Sequence, residues 1–186
     1  MKKTIMIATL SLAAVACSHK EKHADHTQAA ATPAAAPTIT KAQAVLKGAA
    51  GTKVSGVVHF TQENGMVKVE VMAEGVKPGP HGFHIHETGD CSAKDFSSAG
   101  GHFNPTGEHH AGLTSAQRHA GDFGNVIADK KGVVKTSLED SAITLNAGAT
   151  NIIGKAVVLH ADKDDLKSQP SGNSGKRIGC GVIEAL

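Results

Sequence analysis

The chain has 186 residues, of which 40% are hydrophobic, and a formal net charge of +2. That is room for one domain plus a short extension, and the apolar content argues against wholesale disorder. Trp and Tyr are absent and Phe numbers five, while His numbers 12, which excludes a nucleic-acid binder built on a basic or aromatic face and points to metal.

The N-terminus is an address rather than fold. Lys2 and Lys3 precede an apolar run, residues 5–16, that is too short to span a bilayer and reads as a secretory signal peptide, 1–16. The run closes on Ala16-Cys17 and resembles the lipobox of bacterial lipoproteins, which makes Cys17 the expected lipidation site. Ala14-Val15-Ala16 also satisfies the small-x-small rule of ordinary signal peptidase, so both routes of processing stay open. Loss of residues 1–16 removes two lysines and no acids, leaving 17 basic against 17 acidic residues in a near-neutral mature chain. Residues 17–41 are rich in Ala, Pro, Thr and His and read as a flexible, lipid-anchored tether. Its His19, His23 and His26 are expected to be solvated linker residues, with a metal-capturing tail as the other reading.

From residue 42 to 186 the pattern is all-β. Val67, Val69, Val71 and Ala73 alternate with Lys68, Glu70 and Met72, Val54, Gly56, Val58 and Phe60 recur at the same period of two, and Glu63-Asn64-Gly65 supplies hairpin chemistry between the two runs. Further strands are expected near 42–47, 82–87, 122–128, 133–138, 152–160 and 177–183, with a turn at 129–132. Eight short strands suggest a Greek-key β-barrel or immunoglobulin-like sandwich. Residues 89–118 and 161–176 break the alternation and read as two long functional loops.

The histidines fall in an ordered series. His84 and His86, two apart on a strand, share one face and can grip one ion. His102 follows, then His110, His119 and Asp122; three His and one Asp make a closed four-coordinate set of the structural-zinc kind. His160 ends an apolar strand. His109, beside His110, is a rival ligand on chemistry alone. Together these residues offer more nitrogen ligands than one ion needs.

The blocks Gly-Phe-His-Ile-His-Glu at 82–87, Gly-His-Phe-Asn-Pro at 101–105, Arg-His-Ala-Gly-Asp-Phe-Gly-Asn-Val at 118–126, 160–166 and Arg-Ile-Gly-Cys-Gly-Val-Ile at 177–183 resemble the copper–zinc superoxide dismutases, of the bacterial exported, lipoprotein-like type. The resemblance implies disproportionation of superoxide to O₂ and hydrogen peroxide, with one copper and one zinc per chain. It implies copper ligands His84, His86, His102 and His160, and zinc ligands His102, His110, His119 and Asp122, with His102 shared. It makes Asp164 the carboxylate that orients one ligand of each metal, Arg177 the residue that draws the anion in, and Cys91–Cys180 a disulfide, in keeping with an exported protein. His59 and His81 have no ligand role in that pattern and are expected to be buried and hydrogen-bonded. A periplasmic protein anchored to a membrane, the outer one favoured, follows from the N-terminus. The short step from His86 to Cys91 is bacterial in type, whereas the 118–126 block is closer to the eukaryotic branch. The two branches dimerise through different surfaces, so a homodimer is left open. The alternative function is a non-catalytic copper- and zinc-buffering lipoprotein on the same fold.

Overall fold

The computed structural model describes residues 37–186; the signal peptide, Cys17 and His19, His23 and His26 lie outside the described residues. Eight strands follow in order: β1 (Lys41–Gly48), β2 (Ser55–Glu63), β3 (Met66–Glu74), β4 (Gly79–His86), β5 (Asp122–Ala128), β6 (Val134–Asp140), β7 (Ala156–His160) and β8 (Arg177–Ala185). They close into an antiparallel barrel in the order β1-β2-β3-β6-β5-β4-β7-β8. Chain neighbours β3 and β4 are thus separated by β6 and β5, the Greek-key crossover. The ring is closed rather than an open sandwich, although β5 and β6 meet at the single pair Ala128↔Val134.

The β2–β3 hairpin pairs Glu63 with Met66 across a two-residue turn whose Asn64 and Gly65 both have positive φ, 49° and 78°. That is the handedness that matches strand twist, and Asn-Gly adopts it at least cost. In β1 to β3 the alternation is as the sequence implies: Ala42, Ala44, Leu46, Val58, Phe60, Val67, Val69 and Val71 face the core. In β4, Phe83 and Ile85 face the core, so His84 and His86 point to the outer face.

That outer face is not open to solvent. All five residues of β7 are buried, and a second apolar cluster of Phe96, Ala99, Ala156, Val158 and Cys180 forms outside the barrel wall. Residues of the 89–118 loop lie over β7 and β8, and the Cys91–Cys180 disulfide ties them there. Closing so long a chain segment removes entropy from the unfolded state, worth about 4.6 kcal/mol on the chain-entropy account.

Two expectations about elements need correction. The strand expected at 152–160 begins only at Ala156, because Gly154 takes a φ of 78° and turns the chain after Ile152 and Ile153. Ile152 is core all the same, delivered with Ile143 and Leu145 by a third long connection, 141–155, whose apolar residues mimic a strand in sequence. The 89–118 loop also holds a short 3-10 helix, Ser97–Ala99.

Candidate metal centre

Each element brings its histidine to the same outer face of β4 and β7. His86 lies opposite His102 in an isolated bridge, so the first loop enters as an extra strand beside β4. His160 ends β7, opposite Arg177 of β8. The ligand atoms of His84, His86, His102 and His160 lie within 4.8 Å of one another, as do those of His102, His110, His119 and Asp122. All seven residues are buried.

Hydrogen bonds decide which nitrogen of each ring is left over. His86 Nδ1 donates to Gly100 O at 3.0 Å and His160 Nδ1 to Gly175 O at 3.2 Å, which leaves Nε2 of each facing the other at 3.4 Å. His84 Nε2 donates to Asp164 Oδ2 at 2.7 Å and leaves Nδ1 buried without a partner among the described residues. His110 Nε2 donates to Asp164 Oδ1 at 2.9 Å. His110 Nδ1, His102 Nδ1 and His119 Nδ1 converge on Asp122 Oδ1 at 3.1, 2.8 and 3.2 Å. His102 is therefore two-sided. Its Nδ1 faces the Asp122 group, while its Nε2 is buried without a hydrogen-bond partner beside the other three histidines.

Electrostatics follow from burial and these contacts. Burial pushes His84 down to about 4 and His160 down to about 3, and His86 well below the ordinary imidazole range. The three rings are thus neutral, the form that ligates a metal. Burial alone would raise the Asp122 and Asp164 carboxyls, but hydrogen bonds from His102 and His110, and from His110 and His84, hold them far below the usual carboxylate range. His110 answers in the opposite sense: burial lowers it, yet Asp122 and Asp164 carry it up to about 9. Orphaned, buried, neutral nitrogens beside an anionic carboxylate are a donor set suited to two cations, imidazole alone on one side and imidazole with carboxylate on the other.

The supporting residues were only partly legible in sequence. Asp164 lies between His84 and His110 and is itself held by Asn125, which donates to Asp164 O and accepts from Asp164 N. Gly172 makes room: a Cβ there would lie 1.8 Å from Asp164 Oδ1, so the second loop can close over the carboxylate only with glycine. Arg177 donates to Phe96 O and Gly100 O, both at 2.6 Å. Because Gly100 O also accepts from His86, the guanidinium is fixed next to the four-nitrogen pocket. Sequence reasoning passed over Arg118, which is buried, pairs with Asp140 at 2.6 Å and donates to Leu113, His119 and Ala120 carbonyls. An arginine directly before a ligand-type histidine was the available signal. His109 is exposed and stands outside both groups. His81 is buried against the Lys77 and His160 carbonyls, whereas His59 is only half-buried on the outer face of β2, opposite Glu70, because its strand position alternates with core residues Val58 and Phe60.

The sequence model of the copper/zinc superoxide dismutase (SODC) family matches residues 54–183. The chain belongs to that family. It is 50% identical over 147 residues to the Superoxide dismutase (Cu-Zn) of Paramecium bursaria Chlorella virus 1, covering 75% of each chain. The solved structure of the clock protein EA4 is similar with a TM-score of 0.75 and 40% identity, over 83% of this chain and 100% of that one. Membership of the superoxide dismutase family accounts for the otherwise costly burial of so many unpaired imidazole nitrogens.

Proposed function

We propose that this chain disproportionates superoxide to O₂ and hydrogen peroxide, with copper held by His84, His86, His102 and His160 and zinc by His102, His110, His119 and Asp122. Family membership supports the reaction. The observation that carries the residue assignment is the two-sided His102, with Nδ1 on the Asp122 group and Nε2 buried and unpaired among three other imidazoles. Copper supplies the one-electron couple that this reaction needs and that zinc lacks.

The chain's own residues do the rest. In the four-histidine pocket His102 is the ring whose opposite nitrogen lies in the Asp122 group, so its Nε2 can take up and release a proton while Nδ1 keeps the ring in its place. Asp122 and Asp164 hold the tautomers of His102, His84 and His110, so each presents a lone pair in one fixed direction. Arg177, pinned by Phe96 and Gly100 carbonyls, holds a positive charge at the pocket for an incoming anion. The family has an enzyme near the diffusional ceiling, and on a near-neutral chain such attraction has to be local.

Superoxide consumption by the purified chain, with copper and zinc determined on the same sample, tests the reading. One copper and one zinc with rapid, salt-sensitive turnover is the expected result. Both metals bound without turnover would make the protein a metal-buffering one.

We further propose that the protein is exported in a bacterial, periplasmic setting and anchored through a lipid on Cys17, in the outer membrane. Support comes from the residues 1–17 and from the Cys91–Cys180 disulfide, a bond that forms and persists most readily in oxidising compartments. Radiolabelled lipid incorporated by the wild-type chain and not by Cys17→Ser is the expected outcome. Family membership also suggests a homodimer, which sedimentation at micromolar concentration would read directly.

A further inference from the structure

The side of the barrel away from the metal centre carries an amphipathic surface that the dismutation reaction does not use. In the strand ring, β3 stands four strands from β7 in either direction. On the outer face of β1, β2 and β3, Val45, Val57 and Met72 are successive cross-strand partners, and Met72 is followed by Lys135 on β6. Val45 is 55% exposed, Met72 43% and Val133 39%. Val57, Met72, Val133 and Lys135 line a groove of about 500 Å³ between β2, β3 and β6.

Three turns gather at the end of this face. Val76 N donates to Gly132 O at 3.1 Å, and a Cβ on Gly75 would lie 2.1 Å from Lys53 O, so the turns before β2, after β3 and before β6 are packed together. They carry Lys53, Lys77, Lys130 and Lys131, all exposed, with exposed Lys135 beside them. Among the described residues the lysine ion pair is Lys68–Glu70, so none of these five is neutralised by a salt bridge. Three acids lie nearby: Glu74 accepts from Ser55, Asp129 accepts from the Lys131 and Val133 amides, and Glu70, already paired with Lys68, borders Met72 and Lys135. On a mature chain of balanced charge, this is a marked local excess of positive charge.

We propose that this surface docks the enzyme on an anionic lipid surface, with the metal centre turned outward to solvent. Lysines alone would serve any polyanion. The exposed Met72, Val133 and Val45 between and beside them favour a bilayer interface, where apolar side chains leave water while ammonium groups meet anionic headgroups. Docking through β2, β3 and β6 leaves β4, β7 and β8 on the far side of the ring, so Arg177 stays accessible to a diffusing anion. The inference stands apart from the lipid on Cys17: the surface is built from the barrel itself.

The test uses the full chain carrying Cys17→Ser, so that no lipid can be attached there, and vesicles of phosphatidylcholine alone or mixed with phosphatidylglycerol. Co-sedimentation with the phosphatidylglycerol vesicles, lost at about 1 M salt where the screening length falls to about 3 Å, is the expected result. Lys130→Gln with Lys131→Gln lowers that partitioning by about fivefold per lysine, and Met72→Ser lowers it again, while superoxide turnover is unchanged in every variant. Equal binding to both vesicle types, or wild-type binding by the double lysine variant, overturns the proposal. Binding of heparin as strong as that of the vesicles and indifferent to Met72→Ser overturns the lipid assignment in favour of a soluble polyanion.

Discussion

The two sides of this barrel are built from the same kind of strand and differ in what covers them. Around β1, β2 and β3 each strand keeps one face in the core and one in water, with Lys68 and Glu70 paired in the open. Around β4 and β7 both faces are buried: Phe83 and Ile85 fill the core, while His84, His86 and His160 lie under loops held down by a disulfide, by Arg177 and by the Asp164 hydrogen bonds. A half-solvated sheet needs only its alternation. A wall of buried imidazoles needs partners for every nitrogen, and among the described residues three, His84 Nδ1, His102 Nε2 and His110 Nδ1, have no hydrogen-bond partner. The loops complete the burial of polar groups whose last partner is a cation.

The largest break in that contrast should come from His102. His102→Ala is expected to reduce superoxide turnover by about 10³-fold or more, on the scale of losing a principal electrostatic contributor, and to release both metals. His59→Ala, on the open face, should leave turnover within about twofold. Stopped-flow decay of superoxide with metal analysis reads both, and retention of activity by His102→Ala would remove the shared-ligand reading.

Next in size is the Arg118–Asp140 pair, which fastens the first loop to the end of β6. Asp140→Ala strands a buried guanidinium and should cost about 3–5 kcal/mol of stability in denaturant titrations. A loss below about 1 kcal/mol would show that Arg118 finds other acceptors among the carbonyls it already touches.

Acid sharpens the contrast in the chelated, metal-free chain. His84, His86 and His160 titrate lower in the folded state than the ordinary 6.5, with His84 near 4 and His160 near 3. Below pH 6.5 the unfolded chain therefore binds protons that the folded chain refuses, and stability falls as the pH drops. Asp122 and Asp164, depressed in the folded state, contribute stability above the ordinary carboxylate range that is lost only as the pH falls further, through their folded values. His110, raised to about 9, works in the other direction: its contribution is complete below 6.5 and is lost as the pH climbs through 9. Urea midpoints of the metal-free chain should thus be higher at pH 7.5 than at pH 5, and a reversed order would contradict the neutral-histidine wall.

The smallest effect concerns charge at the pocket. Asp95 lies close enough to Arg177 to be stabilised by it and lines the same cleft with Lys94, Lys176 and Arg177. Asp95→Asn should raise kcat/KM by about twofold at low ionic strength and not at high salt, and Arg177→Ala should lower it with both metals retained. Loss of copper from Arg177→Ala would make that residue a structural prop instead.

Much of this protein was determined by local sequence. Alternation in residues 54–60 and 67–73 and the Asn64-Gly65 turn specify a hairpin with a single register, because a one-residue slip would turn Val58, Phe60, Val67 and Val69 to water. The two-residue spacing of His84 and His86 sets them on one face for the same reason. Tertiary structure alone decided the rest. Ile152 reads as strand but is loop, since its burial comes from residues 141–155 folding back and not from pairing. Arg118 and Asp140 are 22 residues apart and become partners only when the loop closes on β6. Gly172 is one glycine among 21 until the carboxylate of Asp164 fills the space its side chain would take. Periodicity is a property of neighbours along the chain, whereas these contacts depend on where long loops land, and no residue-to-residue pattern within a loop encodes that position.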